Sequence, residues 1–218
     1  MTVYARPVPA ASKPIAPVRR SQAERRETTR AALMTAALEQ LLVDGLAGFT
    51  TTEVCKRAGL SQGALFKHFD TKADLLAAVT EHLFDELRAE FESTFIDLPA
   101  ARRNPRSGIE LLWDQMLDAR LAAAYELYTA ARTDTDLRAA LEPVVAAHVE
   151  RIHELAAALI PGVDDARRRS AVDLALLAMQ GLVVQQMALP DPAQHERLRE
   201  LLDGLTVVLL TNENEGTN

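Results

Sequence analysis

Apolar residues recur along this chain at spacings of three and four, the period of helices that bury one face. Ser21 and Glu24 form a capping box, and Met34, Leu38, Leu41 and Leu42 then mark a first amphipathic helix running to Gly45. Thr50 opens a second through a T-x-x-E box with Glu53. Val54, Cys55 and Ala58 form its packing face, while Glu53, Lys56 and Arg57 stay wet. Gly59 is placed to end it in the left-handed conformation, and Ser61 to cap the next helix after a turn of about three residues. Leu65 and Phe69, four apart, anchor that third helix inward. Gln62, Gly63, Ala64, Phe66, Lys67 and His68 are left near its outer face or amino-terminal end. Thr71 caps a fourth helix whose stripe, Leu75, Leu76, Val79, Leu83, Phe84, Leu87 and Phe91, continues to about Phe95.

Pro99, Pro105 and several arginines mark a break. Five more helices are predicted at 107–118, 120–132, 136–160, 164–188 and 192–211, with Pro143 expected to kink or divide the third of them. From Leu174 to Val184 only Gln180 is polar, so the 164–188 helix requires cover on more than one side, and Gly181 permits close approach. The last helix, opened by Asp191 and Pro192, carries Leu198, Leu201, Leu202, Leu205, Val208 and Leu209 as one stripe. Pairing both helices with their copies in a second subunit would cover these surfaces through Leu177, Gly181, Val184, Leu198, Leu201 and Leu205. The expected fold is all-α, with nine helices in two domains: a Pro-rich arm (1–20), a three-helix helix-turn-helix domain (21–72), a helical ligand-binding and dimerisation domain (73–211) and a tail (212–218).

Composition agrees. The hydrophobic share is 48% with 5% aromatic, rich in Ala and Leu, which suits helices packed on helices. One cysteine excludes an intramolecular disulfide framework and points to a cytoplasmic setting. The net charge of −7 conceals a basic head: residues 1–72 hold eleven Lys and Arg against six Asp and Glu, the remaining 146 thirteen against twenty-five. Nucleic-acid affinity follows local cationic surface, so an acidic total does not argue against DNA. Residues 1–20 carry Pro7, Pro9, Pro14 and Pro17 without an apolar run, which predicts a mobile arm, with Arg19 and Arg20 in the minor groove as the alternative. The stretch Leu174–Pro190, broken by Gln180, Gln185 and Gln186, falls short of a bilayer span, so no membrane partner is expected.

The segment Thr50–Phe69, TTTEVCKRAGLSQGALFKHF, resembles the amino-terminal domain of the tetracycline-repressor-like (TetR) transcriptional regulators. The likeness runs from Glu24 to Val79 and includes Thr71-Lys72-Ala73-Asp74-Leu75-Leu76, similar to the family's start of helix four. Cys55 stands where alanine is usual and Phe66 where tyrosine is usual, which removes a tyrosine hydroxyl contact to phosphate. The resemblance implies a homodimer on a quasi-palindromic double-stranded operator, released by a small apolar or weakly polar effector, or answering to a protein partner instead. In this reading Ser61, Gln62, Gly63 and Ala64 enter the major groove, with Gln62 at an adenine edge. Lys67 and His68 give cationic or hydrogen-bonding contacts. Lys72, Thr50 and Thr51 meet phosphate at helix starts.

Other chemistries compete at single residues. Gly59-Leu60-Ser61-Gln62-Gly63 is a literal G-x-S-x-G, but a nucleophile elbow needs a strand before the serine, and TTTEVCKRA is helical. Cys55 in a small inward slot reads as packing, not as an oxidant sensor. His148 and His153 are five apart and diverge by roughly 140° around a helix, unlike an i,i+4 metal pair, so neither metal nor cofactor is expected. Trp113, Met116, Tyr125, Tyr128, Met179 and one histidine, His148, are the candidates for lining an effector cavity, with plain core as the alternative.

Overall fold

The computed structural model describes residues 21–211, all in helices and short connections, with no strand among them. The expected arm (1–20) and tail (212–218) lie outside the described residues. α1 (Gln22–Gly48) opens on the predicted capping box: Glu24 N–H donates to Ser21 Oγ at 3.1 Å and Ser21 N–H to Glu24 Oε2 at 2.7 Å. Gly45, its predicted end, is a break with φ of 64°, but the chain coils on for another turn. The N–H of Leu46, freed by that break, donates to Glu126 Oε1 of α6 at 3.0 Å.

α2 (Thr51–Ala58), α3 (Gln62–Leu65) and the turn after it lean on α1. Leu33, Val54, Leu65 and Leu75 are fully buried between them, each contributing about 1.5–3 kcal/mol by leaving water. α4 (Lys72–Asp97) starts with a second complete capping box, between Thr71 and Asp74. It is followed by a 3₁₀ turn at Ala100–Arg102, α5 (Pro105–Met116), α6 (Ala119–Ala131), α7 (Thr135–Leu159), α8 (Asp165–Ala188) and α9 (Pro192–Thr211). α7 runs undivided through Pro143, which occupies an exposed position. α5 begins two residues before its predicted start, because Asn104 caps it and Pro105 takes the first helical position, where a missing N–H costs nothing.

Packing does not follow the expected division at residue 72. One buried core joins α1–α3 and the start of α4 to Ala123 and Leu127 of α6 and Leu137 and Leu141 of α7. A second begins at Leu83 of α4 and takes in Trp113, Leu121, Tyr125, Met179 and Leu202. The changeover lies inside α4, so this helix belongs to both. By length and mean hydropathy alone α1 and α8 are apolar enough to cross a bilayer, although the stretch Leu174–Pro190, most of it inside α8, was expected to fall short. Both are instead packed into these cores, through Leu33, Ala37 and Leu41 of α1 and Ala171, Ala175, Met179 and Leu182 of α8.

Candidate nucleic-acid interface and internal cavity

Thr50 Oγ1 accepts the N–H of Glu53 at 3.2 Å, which fixes the start of α2. The reciprocal half of the expected box is replaced by ion pairs: the Glu53 carboxylate turns to Lys56 at 3.4 Å and Arg57 at 3.6 Å, and Arg57 also holds Asp44 of α1 at 3.0 Å. Gly59 is left-handed (φ 66°, ψ 30°), and Leu60 N–H returns to Cys55 C=O at 2.9 Å to close α2. Ser61 Oγ accepts the N–H of Ala64 at 3.1 Å. The hydroxyl is therefore a helix cap between two helices, and no strand leads into it, which removes the nucleophile elbow.

Leu65 and Phe69 face inward, so the start of α3 is turned to solvent: Ser61, Gln62 and Gly63 are exposed, Ala64 half-buried, Phe66 and Lys67 exposed. Gln62 Nε2 donates to Thr52 Oγ1 at 2.6 Å. Thr52 was not singled out in the sequence; its only signal is its place in the first turn of α2, level with the first turn of α3. Thr51 is half-buried. Lys72 Nζ donates to Phe49 C=O at 2.9 Å and sits 5.1 Å from the centre of the Phe49 ring. It ties the α1–α2 connection to α4, a structural duty the sequence did not reveal, with two ammonium hydrogens still free. His68 is half-buried, its Nδ1 buried without a partner. Burial first, then Arg26 and Arg30 of α1, holds it below the usual histidine range. This favours the neutral ring, and with it the hydrogen-bonding half of the expected cationic or hydrogen-bonding contact. Arg26 and Arg30 of α1, which the sequence did not single out, add positive charge near His68. Cys55 is buried and its thiol is pushed up by that burial, consistent with packing.

These are the parts of a helix-turn-helix in chain order, and comparison with known proteins agrees. The family model "Bacterial regulatory proteins, tetR family" matches residues 33–79, and "Tetracyclin repressor-like, C-terminal domain" matches 109–208. The chain belongs to the TetR family. It is 32% identical over 189 residues to the HTH-type transcriptional regulator Rv2912c of Mycobacterium tuberculosis, an alignment covering 85% of this chain and 96% of the relative. HTH-type transcriptional regulator CymR of Pseudomonas putida is 30% identical over 191 residues, covering 85% and 92%. Among solved structures, the multidrug binding protein EbrR complexed with imidazole superposes with a TM-score of 0.60 at 25% identity, over 81% of this chain and 93% of that one. As a member of this family the chain is a DNA-binding transcriptional regulator and not an enzyme.

The larger half of this TetR chain holds a cavity of about 120 Å³ among α4, α5, α7 and α8. Its wall is apolar over most of its extent, with Leu87, Phe91, Ile109, Leu121, Ile152 and Leu176 typical of it. Two of the six expected lining residues, Met116 and His148, are there. The other four are core. Trp113 is fully buried and donates to Asp203 at 3.3 Å, and Met179 is fully buried. Tyr125 donates to Met116 Sδ at 3.2 Å, and burial raises it to about 12. Tyr128 packs against the same core, also raised by burial. Among the cavity residues missed, the charged one is Arg88, whose Nη1 lies 2.9 Å from His148 Nδ1. His148 stacks on Phe84 with ring centres 3.8 Å apart, and burial followed by the Arg88 charge lowers it to about 4. His153 is elsewhere, buried between α7 and α8 with Nε2 3.1 Å from Asp173. Among the described residues no group of three potential ligands converges as a metal site.

On the outer side of α8 and α9, Leu177, Gly181, Val184, Leu201 and Leu205 are exposed together with Leu174 and Val208. Leu198 is half-buried and packs on the chain's own second core, not with that exposed set.

Proposed function

We propose that this TetR regulator is a repressor that binds a quasi-palindromic operator as a homodimer and lets go when a small effector enters the cavity. The observation that carries the reading is α4. Its first turn is part of the unit built around α3, and farther along it contributes Leu87, Arg88, Phe91 and Phe95 to the cavity wall. A guest that prefers one placement of α4 shifts the balance between two separations of the recognition helices by its differential affinity for the two states. Ser61, Gln62, Gly63, Ala64, Lys67 and His68 are assigned to the major groove, with Thr50, Thr51 and Lys72 at its phosphate walls and Phe66 against the backbone. Leu177, Gly181, Val184, Leu201 and Leu205 are assigned to the dimer. The apolar cavity favours a small effector over a protein partner, and a cytoplasmic setting follows from the DNA target.

Selection of bound fragments from the source genome tests this reading. The expected product is an inverted repeat whose half-sites lie one helical turn apart, roughly 34–36 Å, or a multiple of it. Recovery of asymmetric sites bound by single chains would refute it.

A further inference from the structure

The charged residue on the cavity wall is Arg88, with His148 against it. A guanidinium has only N–H groups to offer, so at 2.9 Å from Arg88 Nη1 the Nδ1 of His148 accepts, and the ring proton sits on Nε2. His148 is thereby a neutral donor beside a fixed cation. Gln115, also on the wall, spends its amide on Leu87 C=O at 2.5 Å. The Arg88 side chain is only 15% exposed, yet it already donates to a carboxylate from outside, that of Asp85. Asp85 is half-exposed and is held independently by Arg151 at 2.8 Å. Arg88 can therefore exchange Asp85 for another carboxylate without leaving a buried charge unpaired, which is the usual penalty for disturbing such a pair.

We infer that the effector is a hydrophobic monocarboxylate, its apolar body in the cavity walled by α4, α5, α7 and α8 and its carboxylate on Arg88, with His148 as the neighbouring donor. This rests on the cavity being the effector site, as proposed above. A cation is repelled by Arg88, and a second anionic group would be stranded against leucine and phenylalanine. An arginine binds a carboxylate through two parallel hydrogen bonds, so the head is oriented as well as attracted. The cavity volume of about 120 Å³ approaches the ~150 Å³ of an apolar cavity that admits benzene, which suits a single ring or a short alkyl chain. Because Arg88 belongs to α4, the head group pulls on the helix that reaches the DNA-reading end.

Titration calorimetry of the full chain with 4-methylbenzoate and hexanoate, each beside its neutral amide, tests the inference, with toluene as a probe of the cavity alone. At least one acid is expected to bind about tenfold or more tightly than its amide, the scale of one charged hydrogen bond. Which acid does so separates an aromatic from an aliphatic source. Arg88→Gln is expected to erase that preference, and His148→Phe, which keeps the ring stack on Phe84, to reduce it. Amides equal to their acids, or a preference that survives Arg88→Gln, would overturn the carboxylate. A protein stabilised by toluene but by neither acid loses this inference and keeps the effector cavity. One unmoved by all of them loses both.

Discussion

Gln62 gives one amide hydrogen to Thr52, and that contact decides what it can read. The second hydrogen and the carbonyl oxygen remain, which is the donor and acceptor pair that matches adenine N7 and N6. Gln62→Ala is expected to relax preference at one base pair by about 1–3 kcal/mol, read by competition among single-base operator variants; an equal loss on all of them would remove Gln62 from the base edge. The two lysines differ. Lys67 has no ion-pair partner among the described residues, so Lys67→Ala should flatten the salt dependence of binding by about one unit with melting unchanged. Lys72→Ala should do the same and also lower the melting temperature, because its bond to Phe49 C=O is lost. A Lys72 variant with altered melting but an unaltered salt slope would confine that residue to a structural duty. His148 makes a prediction in pH. Its folded value is near 4 against an ordinary 6.5, so between these values the unfolded chain holds a proton the folded chain lacks. The stability of the neutral ring is complete above 6.5 and lost as pH falls toward 4, at a slope of at most ~1.4 kcal/mol per pH unit, less what solvent and the nearby Asp85 screen. His148→Phe should flatten denaturation midpoints across that window; parallel curves for the two proteins would show that the folded ring titrates normally.

At the scale of elements, the turn between α2 and α3 depends on Gly59. A Cβ there meets nothing within 4 Å, so Gly59→Ala isolates the backbone cost of φ +66°, expected at about 1 kcal/mol by denaturant unfolding. No loss would mean the turn relaxes to another conformation. Helix positions were legible because short-range chemistry sets them: Ser21, Thr50, Ser61 and Thr71 all cap as their side chains predict. What escaped depends on partners distant in sequence. Gly45 looks like a terminus, but Glu126, eighty residues on, accepts the freed N–H and lets α1 continue. Arg88 reads as a wet position three residues from an acid, and only the approach of α7 with His148 turns it into a cavity wall. Trp113 and Met179 fail in the opposite way, since apolar bulk at helical spacing fills a core as readily as it lines a hole.

For the whole molecule, stability and function meet on the outer side of α8 and α9. Leu177 is 68% exposed, and Val184 of α8 and Leu201, Leu205 and Val208 of α9 are exposed as well, an amount of apolar surface that isolated chains rarely present to water. Spacings of four and three place Leu177, Gly181 and Val184 on one side of α8, and Gly181 lets a neighbouring backbone approach. Leu177→Arg removes no core contact within the chain, so its circular dichroism should match the parent. Placed opposite its own copy in a symmetric interface, each new charge would be buried unpaired. The variant is therefore expected to sediment as a monomer. Operator affinity should fall by about 10²–10⁴, because the second half-site is then no longer bound intramolecularly, while weak, salt-sensitive binding of single chains persists. A Leu177→Arg protein that remained dimeric and bound the operator normally would place the subunit contact on another face, and with it the geometry that spaces the two recognition helices.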